Sequence, residues 1–463
     1  MNLSTLFAAN SNLSFVEAAT GKFKNIRQMQ ESLQIDEERS LVFVYNDNQL
    51  LAIEAFLNFY RSQHTVALLG NNVSIDFKVN LENTYKPAYI FDPQRQQIQG
   101  YMLEKFSECI SIFRRIQYEP INIHPKIKLL LSTSGTTGSP KFVRLSDENL
   151  VENANSILDY MPILPSDIAP LNVPINFVYG LSIFTTNCIR AAKIVCTDKN
   201  ALQNEFWLEY IKYGYSTLGG VPYFYEMLRR IGFFKKEHPS LRYLTHTGGM
   251  LNHELITEID SFMKRSGVKF IAQYGQTEAG GRMAYLPPQD LLRKSGSIGR
   301  PIKNGSFLID AKTNELLYTG PNVSGGYATN CDDLSEYHEK RSLHTGDQAS
   351  VDKEGYYYIT GRIKRIVKLF GTRFNLDEAE LILKNALGGK TIICIGLNDK
   401  KLGVYYQDDN LDADLISKTI QEKFGINRSA TKIRYIADVP LTANGKVNYP
   451  LLQEWISASD IPV

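Results

Sequence analysis

The chain has 463 residues, 43% apolar and 22% charged, with a formal net charge of +2. That length suits two or more domains with full cores, and the near-neutral charge gives no bulk electrostatic reason for a nucleic-acid or membrane surface. The five cysteines are scattered, with no CxxC pair, and no HExxH spacing occurs, so neither a disulfide framework nor a zinc site is expected. The first residues lack the basic and apolar regions of a secretory leader, and no stretch approaches the ~20 apolar residues of a membrane span. A reduced, soluble, cytoplasmic protein is the simplest expectation.

In chain order, Leu41-Val42-Phe43-Val44-Tyr45 reads as a buried strand, the stretch through Leu50, Ile53, Phe56 and Leu57 as a helix, and Val66-Ala67-Leu68-Leu69 as the next strand. This is the rhythm of a sheet with crossover helices, hence an α/β fold. Ile127 to Ser132 predicts another buried strand. Ser146, followed by Asp147 and Glu148, predicts a capped helix start. Between about 295 and 360, short alternating segments separated by Gly, Asn and Asp predict a β-rich region with tight turns. From about 364 the pattern becomes mixed again, with helices expected over Asp377–Asn385 and Ala413–Phe424. The expected organisation is a large domain over 1–362, with a short N-terminal part, and a small α+β domain over 363–463.

The strongest local signal is Leu131-Ser-Thr-Ser-Gly-Thr-Thr-Gly-Ser-Pro-Lys141. Its glycines let backbone N–H groups approach a phosphate, its hydroxyls donate to phosphate oxygens, and its lysine adds a point charge. It is not a Walker A loop, because Gly135 and Gly138 are only three apart and Pro140 precedes the lysine.

This string resembles the phosphate loop of the adenylate-forming superfamily, which comprises acyl-CoA synthetases, peptide-synthetase adenylation domains and luciferases. Five further stretches follow in the family's order. Gln273-Tyr-Gly-Gln-Thr-Glu278 resembles YGxTE. Gly296-Ser-Ile-Gly-Arg-Pro301, with Gly320-Pro-Asn-Val323 and Gly326-Tyr327, matches the β-rich region. Leu343-His-Thr-Gly-Asp347 resembles TGD. Gly361-Arg362, Val367-Lys368 and Gly371-Thr-Arg373 resemble the hinge and the loop after it. Pro440-Leu-Thr-Ala-Asn-Gly-Lys446 resembles the C-terminal lysine motif.

The resemblance implies ATP-dependent activation of a carboxylic acid to an acyl-adenylate, then transfer to a thiol on coenzyme A or a carrier-protein pantetheine. Attack of a carboxylate on a phosphate brings two anions together, so positioning and charge neutralisation must do most of the work. Thr133, Ser134, Gly135, Thr136, Thr137 and Lys141 would cradle the phosphates. Glu278, with Thr137, would hold Mg²⁺, a hard cation that takes oxygen ligands. Asp347 would accept from the ribose hydroxyls, with Arg362 behind it. Tyr274 would stack on adenine beside Gly249, Gly275 and Thr277. Lys446, with Lys141 and Thr137, would be catalytic, bridging carboxylate and α-phosphate oxygens. Lys364 stands at the family's pivot position, and rotation there would present the segment around Lys368 and Gly371 for the thioester step.

The acyl pocket is expected to draw on Phe177, Tyr179, Tyr223, Gly248, Met250 and Gly280, and their aromatic character favours a small or flat acid. The sequence departs from the family where Phe177 replaces a common His in Pro174-Ile-Asn-Phe-Val-Tyr-Gly180. No Asp stands there to pair with an amine, although Asn176 is adjacent, which argues for an acid without an α-amino group. Asn448 and Tyr449 also depart from the acidic and basic residues common after the lysine. The competing expectations are a stand-alone amino-acid adenylation enzyme that loads a carrier protein and a catalytically degenerate nucleotide-binding protein.

Overall fold

In the computed structural model, the described residues are 2–30, 38–105, 110–132, 141–362, 366–369, 372–397, 400–408, 411–440, 447 and 449–458. They divide into two compact units, a larger one ending at Gly361 and a smaller one from Arg362 onward.

Among the described residues, the larger unit contains three sheets. In the eight-stranded sheet, Tyr89–Phe91, Leu41–Asn46, Thr65–Gly70 and Leu129–Ser132 run parallel in that order. Leu41–Asn46 is buried along its whole length, as the continuous apolar run predicts for a strand covered on both faces. The helix Leu50–Arg61 supplies one cover, and its burial reflects the apolar spacing read from the sequence. The expected strand over Ile127–Ser132 forms only from Leu129. Lys128 interrupts the run, sending its ammonium to the carbonyls of Ser62 and His64.

The expected helix start at Ser146 is a reciprocal cap. The Ser146 hydroxyl accepts from Asn149 N–H, and the Asn149 side chain accepts from Ser146 N–H. The Asn149 amide also donates to the carbonyls of Pro321 and Val323, tying this helix to a distant loop.

The nine-stranded sheet begins with three parallel strands, Thr217–Gly220, Tyr243–His246 and Lys269–Tyr274. It continues through antiparallel segments to Ser342–Val351 and Glu315–Thr319. The pairing register slips between Ser297 and Gly299. A third, four-stranded sheet pairs Ser14–Glu17 with Lys193–Cys196, a long-range pairing that no local pattern announces.

The smaller unit has its own core. A three-stranded sheet of Ile392–Leu397, Lys401–Tyr406 and Thr431–Tyr435 packs with the helices Leu376–Ala386 and Ala413–Phe424. A hairpin of Ile366–Leu369 and Thr372–Asn375 precedes them. Among the described residues, no helix is long and apolar enough to cross a membrane. Cys188, Cys196, Cys331 and Cys394 are buried free thiols.

Candidate functional site

Two groups of site residues meet within the larger unit. The first gathers on Asp347, which is 2% exposed in the strand Ser342–Val351. Tyr274 ends the strand Lys269–Tyr274, and its hydroxyl donates to Asp347 Oδ2 at 2.6 Å. The Gln276 amide donates to the same oxygen at 3.1 Å and to Thr345 O at 2.8 Å. Thr345 Oγ1 accepts from Asp347 N–H, fixing the turn of the TGD segment. A carboxylate so held is a preorganised acceptor, and the Tyr274 ring is braced edge-on by Phe307. Gly275 permits the crossing between Tyr274 and Gln276, because a Cβ there would lie 2.1 Å from Gly281 O.

The second group joins Lys141, Tyr327 and Glu278. The strand Tyr327–Ala328 pairs with Phe142–Leu145, bringing Tyr327 beside the start of that strand. Lys141 Nζ lies 3.3 Å from the centre of the Tyr327 ring, and the Tyr327 hydroxyl donates to Glu278 Oε1 at 2.5 Å. Tyr327 thus links the expected phosphate cation to the expected metal carboxylate. The sequence reading quoted Tyr327 as part of a motif but gave it no role.

Glu278 Oε2 is buried without a hydrogen-bond partner. An orphaned carboxylate oxygen costs free energy unless something else satisfies it, and a hard divalent cation is the natural partner. The described residues contain no cluster of three His, Cys, Asp or Glu side chains. Glu278 therefore fits an ion that draws its other ligands from phosphate oxygens and water, the usual habit of Mg²⁺.

Thr133, Ser134, Gly135, Thr136, Thr137, Lys364, Gly371 and Lys446 lie outside the described residues, as does the side chain of Arg362. The Arg362 backbone ends the strand Tyr357–Arg362. Lys368 is half-buried in the hairpin of the smaller unit, opposite Arg373.

The expected acyl-pocket residues divide in character. Phe177, at the start of the helix Val178–Ile189, is 47% exposed, Tyr223 44% and Met250 66%. Tyr179 is buried, and its hydroxyl donates to Thr245 O at 2.6 Å while accepting from Gly220 N–H at 3.0 Å. Its polar end is thus tied to the ends of two adjacent strands. Gly248 and Gly249 follow the strand Tyr243–His246, and Thr277 and Gly280 flank the short turn Thr277–Ala279.

A small cleft with room for about one water lies between the helix Val178–Ile189 and the three parallel strands, and Ile157, Met161, Ile163 and Ile183 line much of it. Its walls include Ser182, Thr186, Thr245, Gln273 and Arg282. Arg282 stands two residues beyond Gly280 and is not singled out by the sequence. Arg282 is 2% exposed, and burial pushes its guanidinium below the ordinary arginine range.

A family model described as AMP-binding enzyme matches residues 94–328, just over half of the chain. A probable CoA ligase of Humulus lupulus is 24% identical over 360 residues, covering 73% of this chain and 68% of the relative. An indoleacetate–CoA ligase of Aromatoleum aromaticum is 29% identical over 345 residues, covering 70% and 66%. The chain thus spans about two thirds of the length of these curated relatives. Among solved structures, o-succinylbenzoate CoA synthetase of Bacillus subtilis superposes with a TM-score of 0.77 at 17% identity, covering 98% of each chain. At that identity the likeness concerns the fold: large sheets with a separate C-terminal unit.

Proposed function

Because the chain belongs to the AMP-binding enzyme family, we propose that it is an acid–thiol ligase that works through an acyl-adenylate. In the first step a carboxylate oxygen attacks the α-phosphorus of ATP and pyrophosphate leaves. In the second, a thiolate attacks the acyl carbon, AMP leaves and a thioester forms. The observation that carries this reading is the segment Tyr274 to Glu278. One end of it holds the buried acceptor Asp347, and the other is linked through Tyr327 to Lys141.

Asp347 orients the nucleotide through its ribose hydroxyls, and Tyr274 offers its ring to the adenine. Lys141, with the hydroxyls of Thr136 and Thr137, draws charge from the departing phosphates. Mg²⁺, held by Glu278 with Thr137 as second ligand, would neutralise phosphate charge. On the family resemblance, Lys446 bridges the attacking carboxylate and the α-phosphate, where charge develops in transfer. Lys364 is assigned the pivot, and Lys368 and Gly371 the thioester step. The catalytic unit is taken as 1–362 and the lid unit as 363–463. A reduced, cytoplasmic setting fits the buried free thiols.

The curated relatives named above are both CoA ligases, which favours coenzyme A over a carrier-protein pantetheine as acceptor. Their named acids do not carry across at this identity. Carboxylate-dependent ATP–pyrophosphate exchange over a panel of acids tests the first step, and mass analysis after adding coenzyme A or a phosphopantetheinylated carrier protein tests the second. ATP binding without exchange on any acid would favour the non-catalytic nucleotide-binding reading. Exchange confined to amino acids, with thioester on the carrier alone, would favour the amino-acid adenylation reading.

A further inference from the structure

Lys141 and Glu278 carry opposite charges, engage the same tyrosine and do not meet. The Lys141 ammonium lies over the Tyr327 ring, 3.3 Å from its centre, while the Tyr327 hydroxyl donates to Glu278 Oε1 at 2.5 Å. No ion pair to Glu278 occurs among the described residues, and Glu278 Oε2 has no hydrogen-bond partner. An ammonium and a carboxylate separated by a single side chain are expected to close on each other, because a charge-assisted contact is stronger than either contact with a phenol. Here the phenol stands between them.

The segment that carries Tyr327 is held from several directions. Gly325 N–H donates to Arg144 O and Arg144 N–H donates to Gly326 O, each at 2.9 Å. The buried Arg144 guanidinium reaches past the tyrosine and donates to the carbonyls of Asp333 and Glu336, at 2.5 and 2.6 Å. Ser324 N–H donates to Glu278 O at 2.9 Å, which fastens the segment to the backbone of the residue its tyrosine engages. Gly325 leaves no room for a side chain, since a Cβ there would lie 2.3 Å from the Tyr337 ring. The fold therefore sets the place of the ring, and the two charged side chains arrange themselves around it.

Building on the ligase reading, we propose that Tyr327 is a positioning residue that keeps Lys141 and Glu278 from neutralising each other before nucleotide arrives. The ring face holds the ammonium by a contact that is weaker than an ion pair and is readily exchanged for phosphate oxygens. The hydroxyl occupies one oxygen of Glu278 and leaves Oε2 for a divalent cation. Both charges are thus available when ATP enters. Without the ring the two side chains pair, and nucleotide has to break that pair in order to bind.

The test is calorimetric binding of ATP and of AMP in EDTA, which takes the metal out of the comparison. It compares wild type with Tyr327→Phe, Tyr327→Leu, Glu278→Gln and the double variant Tyr327→Leu/Glu278→Gln. Tyr327→Leu should weaken metal-free ATP about tenfold and leave AMP within about threefold of wild type, because AMP lacks the phosphates that Lys141 would hold. Tyr327→Phe keeps the ring and should bind metal-free ATP within about threefold of wild type. In the double variant no carboxylate captures Lys141, so affinity should return to within about threefold of Glu278→Gln alone. Loss of a merely structural support would not be reversed by removing the charge of Glu278. Tyr327→Phe carries the test if Tyr327→Leu does not fold.

Metal-free ATP affinity unchanged in Tyr327→Leu, or a loss that persists in the double variant, overturns the proposal. So does a loss in Tyr327→Phe equal to that expected of Tyr327→Leu. If wild type exchanges pyrophosphate with some acid and the double variant shows no recovery, the role of Tyr327 falls and the ligase reading stands. If affinity recovers in the double variant and no acid supports exchange in wild type, the role of Tyr327 stands and the ligase reading falls.

Discussion

The Tyr274 hydroxyl donates to Asp347 Oδ2 at 2.6 Å although three strands separate their own strands in the sheet. Four strand spacings in a flat sheet would put the two backbones about 19 Å apart, beyond the combined reach of the side chains. The sheet is therefore not flat between them, and its pairing register slips between Ser297 and Gly299 and again between Glu315 and Leu317. The TGD and YGxTE segments meet because the sheet between them departs from flatness.

Substitution of Gly299 tests this dependence. Its φ is +86°, and a Cβ would lie 1.8 Å from Tyr285 O, which is backbone and has no way to turn aside. Gly299→Ala is expected to lower stability by about 2–4 kcal/mol. A denaturant melt checks this. A loss of ATP affinity in protein that still folds would show that this part of the sheet serves the nucleotide site.

Asp347→Ala should weaken ATP and AMP alike, by about 10- to 100-fold, because the ribose is common to both. Tyr274→Phe removes one donor to Asp347 Oδ2, leaves that of Gln276, and should have the smaller effect. Calorimetric titration with each nucleotide distinguishes this from a phosphate contact, which would spare AMP.

Glu278→Gln should reduce pyrophosphate exchange about 100-fold and raise the Mg²⁺ concentration needed for half-maximal rate. Tyr327→Phe removes the donor to Oε1 and leaves the carboxylate, so about a tenfold loss with a smaller Mg²⁺ shift is expected. Exchange rates across a Mg²⁺ titration give both quantities.

Lys446→Ala is expected to slow acyl-adenylate formation by about 100- to 1000-fold while ATP affinity and Tm stay near wild type. Single-turnover formation of acyl-AMP, measured beside nucleotide binding, separates a role in transfer from one in binding.

Lys128 offers a pH test of stability. Burial depresses its ammonium to about 8, and Asp147 and Arg39 act on it in opposite directions. Below pH 8 the charged form is disfavoured in the folded protein. Between pH 8 and the ordinary value of 10.5 the unfolded chain holds more protons, so stability rises with pH. The rise should be about 1–3 kcal/mol before buried tyrosines such as Tyr60, whose hydroxyl burial pushes well up, begin to oppose it. The Lys128→Met variant should flatten that rise in urea melts taken at successive pH values.

Much of the fold was legible in advance because its signals are local. The buried run Leu41–Tyr45, the spacing of Ile53, Phe56 and Leu57, and the Ser146 cap each depend on neighbours within a turn or a strand. The helix Ala413–Phe424 formed within the expected bounds for the same reason. The strand at Leu129 began later than expected because Lys128 found carbonyl partners some sixty residues away.

For the site, the order of motifs from Leu131 to Lys446 was enough to identify the chemistry, since phosphate and metal recognition need particular residue types in short strings. The sequence by itself therefore pointed to the family and the reaction class, and it nominated Lys141, Glu278 and Asp347 as site residues. Only the tertiary structure decided that Tyr327 joins the first two, that Tyr274 and Gln276 hold the third, and that Arg282 is a buried cation lining a small cleft. Those relationships span dozens of residues and depend on sheet curvature and burial. An arginine in a string of letters gives no sign of whether it faces water or is buried.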